Sequence, residues 1–114
     1  MLALKLYPKY TYEDYSQWEG QWELIDGLPY AMSPQATPKH QQINAELVTL
    51  FSNALKKAKC KECKVYMPLD YKINESTIVQ PDLSIVCKPI TKKFLDFAPE
   101  LVIEILSPST KEKD

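Results

Sequence analysis

Arginine is absent: all 14 basic residues in the 114-residue chain are lysines. This excludes guanidinium forks that grip phosphate through two parallel hydrogen bonds, so any phosphate contact would be a point charge. A strong charge of either sign is also missing, since 15 acidic residues leave a formal net charge of -1. No global field draws in nucleic acid, and such a role would need a local patch. No apolar run approaches the roughly 20 residues of a membrane span. The segment from Met1 to Lys9 mixes Lys, Tyr and Pro with Leu and lacks the apolar stretch and cleavage site of a signal peptide. Cys60, Cys63 and Cys87 suit free thiols in a reducing compartment. A cytoplasmic protein with no membrane partner is expected. Internal repeats and low-complexity segments are absent too.

What is present suits one domain over residues 1–114, with 45% hydrophobic and 25% charged residues and a modest core. Thr11-Tyr-Glu-Asp14 has the form of a helix start, with the helix running through Trp18 and ending near Gly20. Trp22 to Ile25 alternates as a strand, Asp26-Gly27 is a hairpin turn, and Leu28 to Met32 is the return strand. Ser33 to Pro38 reads as a loop. From Lys39 to about Lys59, apolar residues at Ile43, Leu47, Leu50, Phe51, Ala54 and Ala58 predict a long amphipathic helix. Val65 to Leu69 and Tyr71 to Ile73 read as strand pieces around Pro68, with a turn at Asn74 to Thr77. Ile78 to Val86 reads as one strand containing Pro81, which implies an edge, a bulge or the strand's entry. Lys88 to Pro99 reads as a loop. Leu101 to Leu106 is a nearly pure aliphatic strand, as in a sheet covered on both faces. Ser109 and Glu112 form a capping box for a helix that Asp114 cuts short.

Two carboxylates stand out. Glu104 is the one charge among five aliphatic residues, and Asp82 lies in the apolar run from Ile78 to Val86. Burying a carboxylate costs several kcal/mol even after relaxation, so each must be paired, protonated or metal-bound. If the two strands are neighbours, the like charges raise one pKa unless a cation intervenes. Mg²⁺ is commonly held by one or two carboxylates with waters completing its octahedron. The competing reading gives Glu104 a lysine partner and makes Asp82 the cap of a turn after Pro81.

Pro81-Asp82 followed by Glu104 late in an aliphatic strand resembles the PD-(D/E)XK nuclease superfamily. Four segments resemble its Uma-type restriction endonuclease family. They are Trp22-Glu-Leu-Ile-Asp-Gly27, Met32-Ser-Pro with His40 opening a helix, Val79-Gln-Pro-Asp-Leu-Ser-Ile-Val86, and Pro99-Glu-Leu-Val-Ile-Glu-Ile-Leu-Ser-Pro-Ser-Thr110. The resemblance implies an α/β, restriction-endonuclease-like core, a mixed sheet flanked by helices, with further strands beyond Asp114. It implies Mg²⁺ (or Mn²⁺) held by Asp82, Glu104 and the carbonyl of Ile105, and DNA as the partner. Glu23 matches an acidic position that supports the metal or orients water; a solvated strand residue is the alternative. His40 matches the family's histidine; a structural role and an acid–base role both remain open. The implied chemistry is metal-assisted hydrolysis of a phosphodiester.

The pattern is also broken in one place. The superfamily's lysine two residues after the second acid is Leu106 here. The Uma-type lysine falls beyond Asp114, and Lys111 and Lys113 precede it. A truncated, inactive relative serving as a DNA-binding or protein-interaction module is therefore the second expectation, and uncovered sheet surface would favour a homodimer. Cys60-Lys-Glu-Cys63 lacks a zinc pattern, because only Cys87 and His40 remain to complete four ligands. These cysteines read as incidental small residues, with zinc as the lesser alternative. Lys56, Lys57, Lys59, Lys61 and Lys64, and Lys88, Lys92 and Lys93, read as solvated patches.

Overall fold

The computed structural model describes residues 9–32 and 37–106. The expected C-terminal helix start, with Ser109, Lys111, Lys113 and Asp114, lies outside the described residues, as does most of the loop from Ser33. Among the described residues there are two helices and seven strands, the strands forming two sheets. Helix α1 is Tyr12–Tyr15, β1 is Trp22–Ile25, β2 is Leu28–Ala31 and α2 is Pro38–Lys57. Strands β3 (Lys64–Tyr66), β4 (Tyr71–Asn74), β5 (Thr77–Val79), β6 (Leu83–Val86) and β7 (Leu101–Ile103) follow. One sheet has the order β2-β1-β5-β4 and the other β3-β6-β7. The named ladders are antiparallel, and a parallel bridge joins Tyr71 to Leu95.

Local chemistry explains most boundaries. Asp14 caps α1 by accepting from the Thr11 amide at 2.9 Å and the Thr11 hydroxyl at 3.3 Å. The helix then stops at Tyr15, well short of Trp18. At the hairpin, Asp26 (φ 50°) and Gly27 (φ 79°) both adopt the left-handed conformation that matches strand twist, and Ile25 pairs with Leu28. A Cβ at Gly27 would stand 3.0 Å from Lys9 Cβ, so the backbone there needs glycine twice over. Thr37 caps α2, its hydroxyl accepting from the His40 amide at 3.1 Å. The far end of α2 closes with Lys59 N–H on Lys56 O and Cys60 N–H on Leu55 O, both 3.0 Å, while Lys59 takes φ 59°. That is the crossed hydrogen-bond pair of a Schellman motif, with lysine in the place usually taken by glycine.

Two strand expectations are also corrected. The run from Ile78 to Val86 is not one strand. Pro81 lacks an amide hydrogen, so the ladder ends at Val79 and the chain passes at residues 80–82 from the first sheet to the second. The aliphatic strand ends at Ile103, and among the described residues it is an edge with Leu101 and Val102 exposed. It is β6, with all four residues buried, that has the doubly covered environment. Finally, the apolar face of α2 is only half-covered: Leu50 is 62% exposed, and the helix's one buried residue is Asn44.

The core of the first sheet is Tyr15, Leu24 and Ile78, with Tyr10, Tyr12, Trp18 and Trp22 packed against it. The rings meet edge-on, at 5.2 Å for Tyr10–Trp18 and 5.6 Å for Trp18–Trp22. Such pairs contribute about 0.5–1.5 kcal/mol each beyond burial. These aromatics hold α1 to the sheet.

Candidate active site

Asp82 lies between the sheets, after Pro81 and before β6, and is about one-fifth exposed. Its Oδ2 accepts from the Ile105 amide at 2.7 Å, and its Oδ1 stands 3.2 Å from His40 Nε2. Each oxygen therefore has one fixed partner and keeps a second lone-pair direction. β6 and β7 pair with Leu83 opposite Ile103, and the same register carried one step further sets Asp82 opposite Glu104. That step lies beyond the last paired residues, Leu83 and Ile103, so it places the two positions by extension of the register.

Glu104 differs from the expected buried acid. It lies one residue beyond the end of β7 and is exposed, because the sheet has no further strand there among the described residues. Desolvation is small, so the burial argument applies to Asp82 alone. At Ile105 it is the amide N–H that meets Asp82. Leu106, at the superfamily's lysine position, is exposed.

Glu23 stands on β1, and its Oε2 accepts from the Gln80 amide at 2.8 Å. It fastens the first sheet to the segment that delivers Pro81-Asp82. The Gln80 side chain turns to a second centre, which no local sequence pattern marks. Its Nε2 donates to Asp70 Oδ1 at 2.6 Å, and the Tyr15 hydroxyl donates to the same oxygen at 2.9 Å, with the Trp22 carbonyl at 3.0 Å. Burial first, and the Asp70 charge second, push the Tyr15 hydroxyl well above the ordinary phenol range.

Asn44 was also missed. It lies one turn after His40 on the same helix face, is 4% exposed, and its Oδ1 is buried without a hydrogen-bond partner. A polar residue beside the stripe of Ile43, Leu47 and Phe51 was the available signal. Carbonyl oxygens of this kind are hard donors, like carboxylates, and suit Mg²⁺ or Mn²⁺ better than soft metals. The oxygen donors of Asp82 and Glu104 fit a divalent cation completed by water.

A family model described as "Putative restriction endonuclease" matches residues 12–114. The chain belongs to this Uma2 family. The Uma2 chain is 35% identical, over 114 residues, to the uncharacterized protein slr1290 of Synechocystis sp.. That match covers 95% of this chain and 59% of that protein, so the chain spans about three-fifths of its curated relative. The Uma2 fold is shared with a crystal structure from Anabaena variabilis, titled a putative nuclease belonging to DUF820, at a TM-score of 0.71 and 22% identity. That match covers 90% of this chain and 63% of the other. The α/β fold with two sheets is therefore that of a nuclease-like neighbour. Among the described residues, no helix of this Uma2 chain is long and apolar enough to cross a membrane.

Proposed function

We propose that the chain is the metal-bearing part of a cytoplasmic endonuclease that hydrolyses DNA phosphodiester bonds, with residues 1–114 as one restriction-endonuclease-like unit. What supports this reading is the β6–β7 register, which, extended by one step, sets Asp82 opposite Glu104. Asp82 and Glu104 would hold Mg²⁺ or Mn²⁺, with the Ile105 carbonyl beside them. When bound, such a cation supplies charge at the phosphate and an activated water. The chain's own residues do the rest. His40 and the Ile105 amide fix the rotamer of Asp82, one partner on each oxygen. In this reading His40 also exchanges a proton at Nε2. Glu23 holds the backbone at Gln80, two residues ahead of Asp82. Support for DNA as substrate comes from the family description.

The test is nicking of supercoiled plasmid in Mn²⁺, with chelator as control and calorimetric titration of the metal. Cleavage that disappears in Asp82→Asn and Glu104→Gln is expected. Metal binding unchanged in Asp82→Ala would end the reading. Leu106, exposed where the superfamily has lysine, favours a second reading: a non-cleaving DNA-binding or protein-interaction module. Retention of plasmid without nicking would support it. Self-association through the exposed edge of β7, with Leu101 and Val102, belongs to the same proposal and is read by sedimentation.

A further inference from the structure

The three cysteines are not incidental and not all free. Cys63 and Cys87 form a disulfide, and the Cys60 thiol stands 2.7 Å from Cys63 Sγ. All three sulfurs lie within 4.8 Å of one another, the one such trio of His, Cys, Asp or Glu groups among the described residues. Two backbone devices bring them together. The β3–β6 ladder pairs Lys64 with Val86, and one further step sets Cys63 opposite Cys87. The crossed hydrogen bonds after α2, with Lys59 in the left-handed conformation, turn Cys60 back toward that pair. A cavity of about 540 Å³ adjoins Cys60 and Cys63, lined in part by Lys56, Lys59, Lys61 and Lys64.

We propose that Cys60, Cys63 and Cys87, when reduced, form a three-thiolate site for a Zn²⁺-class cation that ties the end of α2 to β3 and β6. Thiolates select borderline-soft and soft cations, whereas the oxygen donors around Asp82 select Mg²⁺ or Mn²⁺, so the two centres do not compete. Zinc is tetrahedral with Zn–S near 2.3 Å, which separates bound sulfurs by about 3.8 Å, so the bonded Cys63 and Cys87 sulfurs, and the Cys60 sulfur 2.7 Å from Cys63, move outward once the disulfide is reduced. The fourth position faces the cavity and takes water. Zn²⁺ with three thiolates carries a net charge of -1, which the neighbouring lysines offset. Disulfide and cation use the same sulfurs and exclude each other. Reduction by a phosphine opens the site: two electrons break the Cys63–Cys87 bond, water supplies two protons and the oxygen of the phosphine oxide, and two thiols result. This proposal does not rest on the nuclease reading.

The experiment is anaerobic titration of the phosphine-reduced full chain with Zn²⁺, and separately with Co²⁺ as a spectroscopic probe. One cation per chain is expected, with a thiolate-to-cobalt charge-transfer band and a rise in melting temperature. An excess of Mg²⁺ leaves the bound ion in place. Cys60→Ser weakens Zn²⁺ binding by more than about 100-fold, beyond the loss caused by removing an outer-shell partner. The proposal is overturned if the reduced wild-type chain gives no thiolate–cobalt band. It is equally overturned if Cys60→Ser, still folded by circular dichroism, binds Zn²⁺ as the wild type does. The cobalt spectrum of the wild type needs no variant, so a misfolded mutant cannot mask the result.

Discussion

Asp70 and Asp82 lie on either side of the junction between the sheets, and both carboxylates are anchored by two partners. The anchors differ in kind. At Asp70 the Tyr15 hydroxyl and the Gln80 amide both converge on Oδ1, and Tyr15 belongs to the aromatic cluster. At Asp82 the partners are split, with His40 on one oxygen and the Ile105 amide on the other, opposite a second acid. The first arrangement closes a structural network. The second holds a carboxylate by both of its oxygens, with one partner on each. A carboxylate in an unexpected place is therefore not a functional signal by itself; its partners and the groups around it decide.

The widest separation between the two should come from removing each charge in turn. Asp82→Asn is expected to lower cleavage by at least about 10²-fold, comparable to losing one preorganised electrostatic group. Its denaturation midpoint should barely move, because an amide oxygen can still accept from Ile105. Asp70→Ala should do the reverse. It leaves the Tyr15 hydroxyl and Gln80 amide short of an acceptor and should cost about 1–3 kcal/mol in urea unfolding. Its residual activity should follow the folded fraction. If Asp70→Ala kept full stability and lost cleavage, the comparison would be inverted.

A smaller effect tests whether the Asp70 network is structural through its protonation. The Tyr15 hydroxyl is raised in the folded state, first by burial and then by Asp70. The unfolded phenol ionises near pH 10, while the folded one still holds its proton. Above that pH the unfolded chain binds fewer protons, so stability contributed by this group is complete below pH 10 and declines as pH rises. Tyr15→Phe should cost about 1 kcal/mol at neutral pH and should flatten the alkaline decline in melting temperature. An unchanged alkaline slope in the variant would remove Tyr15 from the network's energetics.

Which centre was legible in the sequence follows from the range of the signals. Asp82 and Glu104 were visible because each interrupts an apolar run, and the Asp26-Gly27 hairpin because its turn chemistry is local. The split at Pro81 was half visible: the missing amide marked a break, but only the pairing of Leu24 with Ile78 and of Leu83 with Ile103 shows that the chain changes sheets there. Asp70 follows Pro68-Leu69 in a segment with no periodicity, and its partners come from residues 15 and 80. The cysteine trio was misread for the same reason, since Cys87 reaches Cys63 through a ladder register that sequence spacing does not contain. Glu104's exposure depends on which strand lies beyond β7, a fact that no residue in that strand encodes.

Glu23 lies on the boundary of the comparison and gives the most delicate test. Its carboxylate accepts the amide of Gln80, whose side chain serves Asp70 and whose successor but one is Asp82. If Glu23 acts by holding that backbone, Glu23→Gln keeps an acceptor and exchanges a charge-assisted hydrogen bond for a neutral one. The expected loss is about 1 kcal/mol of stability, with cleavage reduced by less than the 10- to 100-fold of a metal's outer-shell partner. Glu23→Ala should lose more stability, because the Gln80 amide is then left without its acceptor. If the negative charge itself serves the metal, Glu23→Gln should instead fall into the 10- to 100-fold range and weaken Mn²⁺ binding in parallel. Measuring metal affinity and unfolding on the same two variants thus decides whether Glu23 belongs with Asp70 or with Asp82.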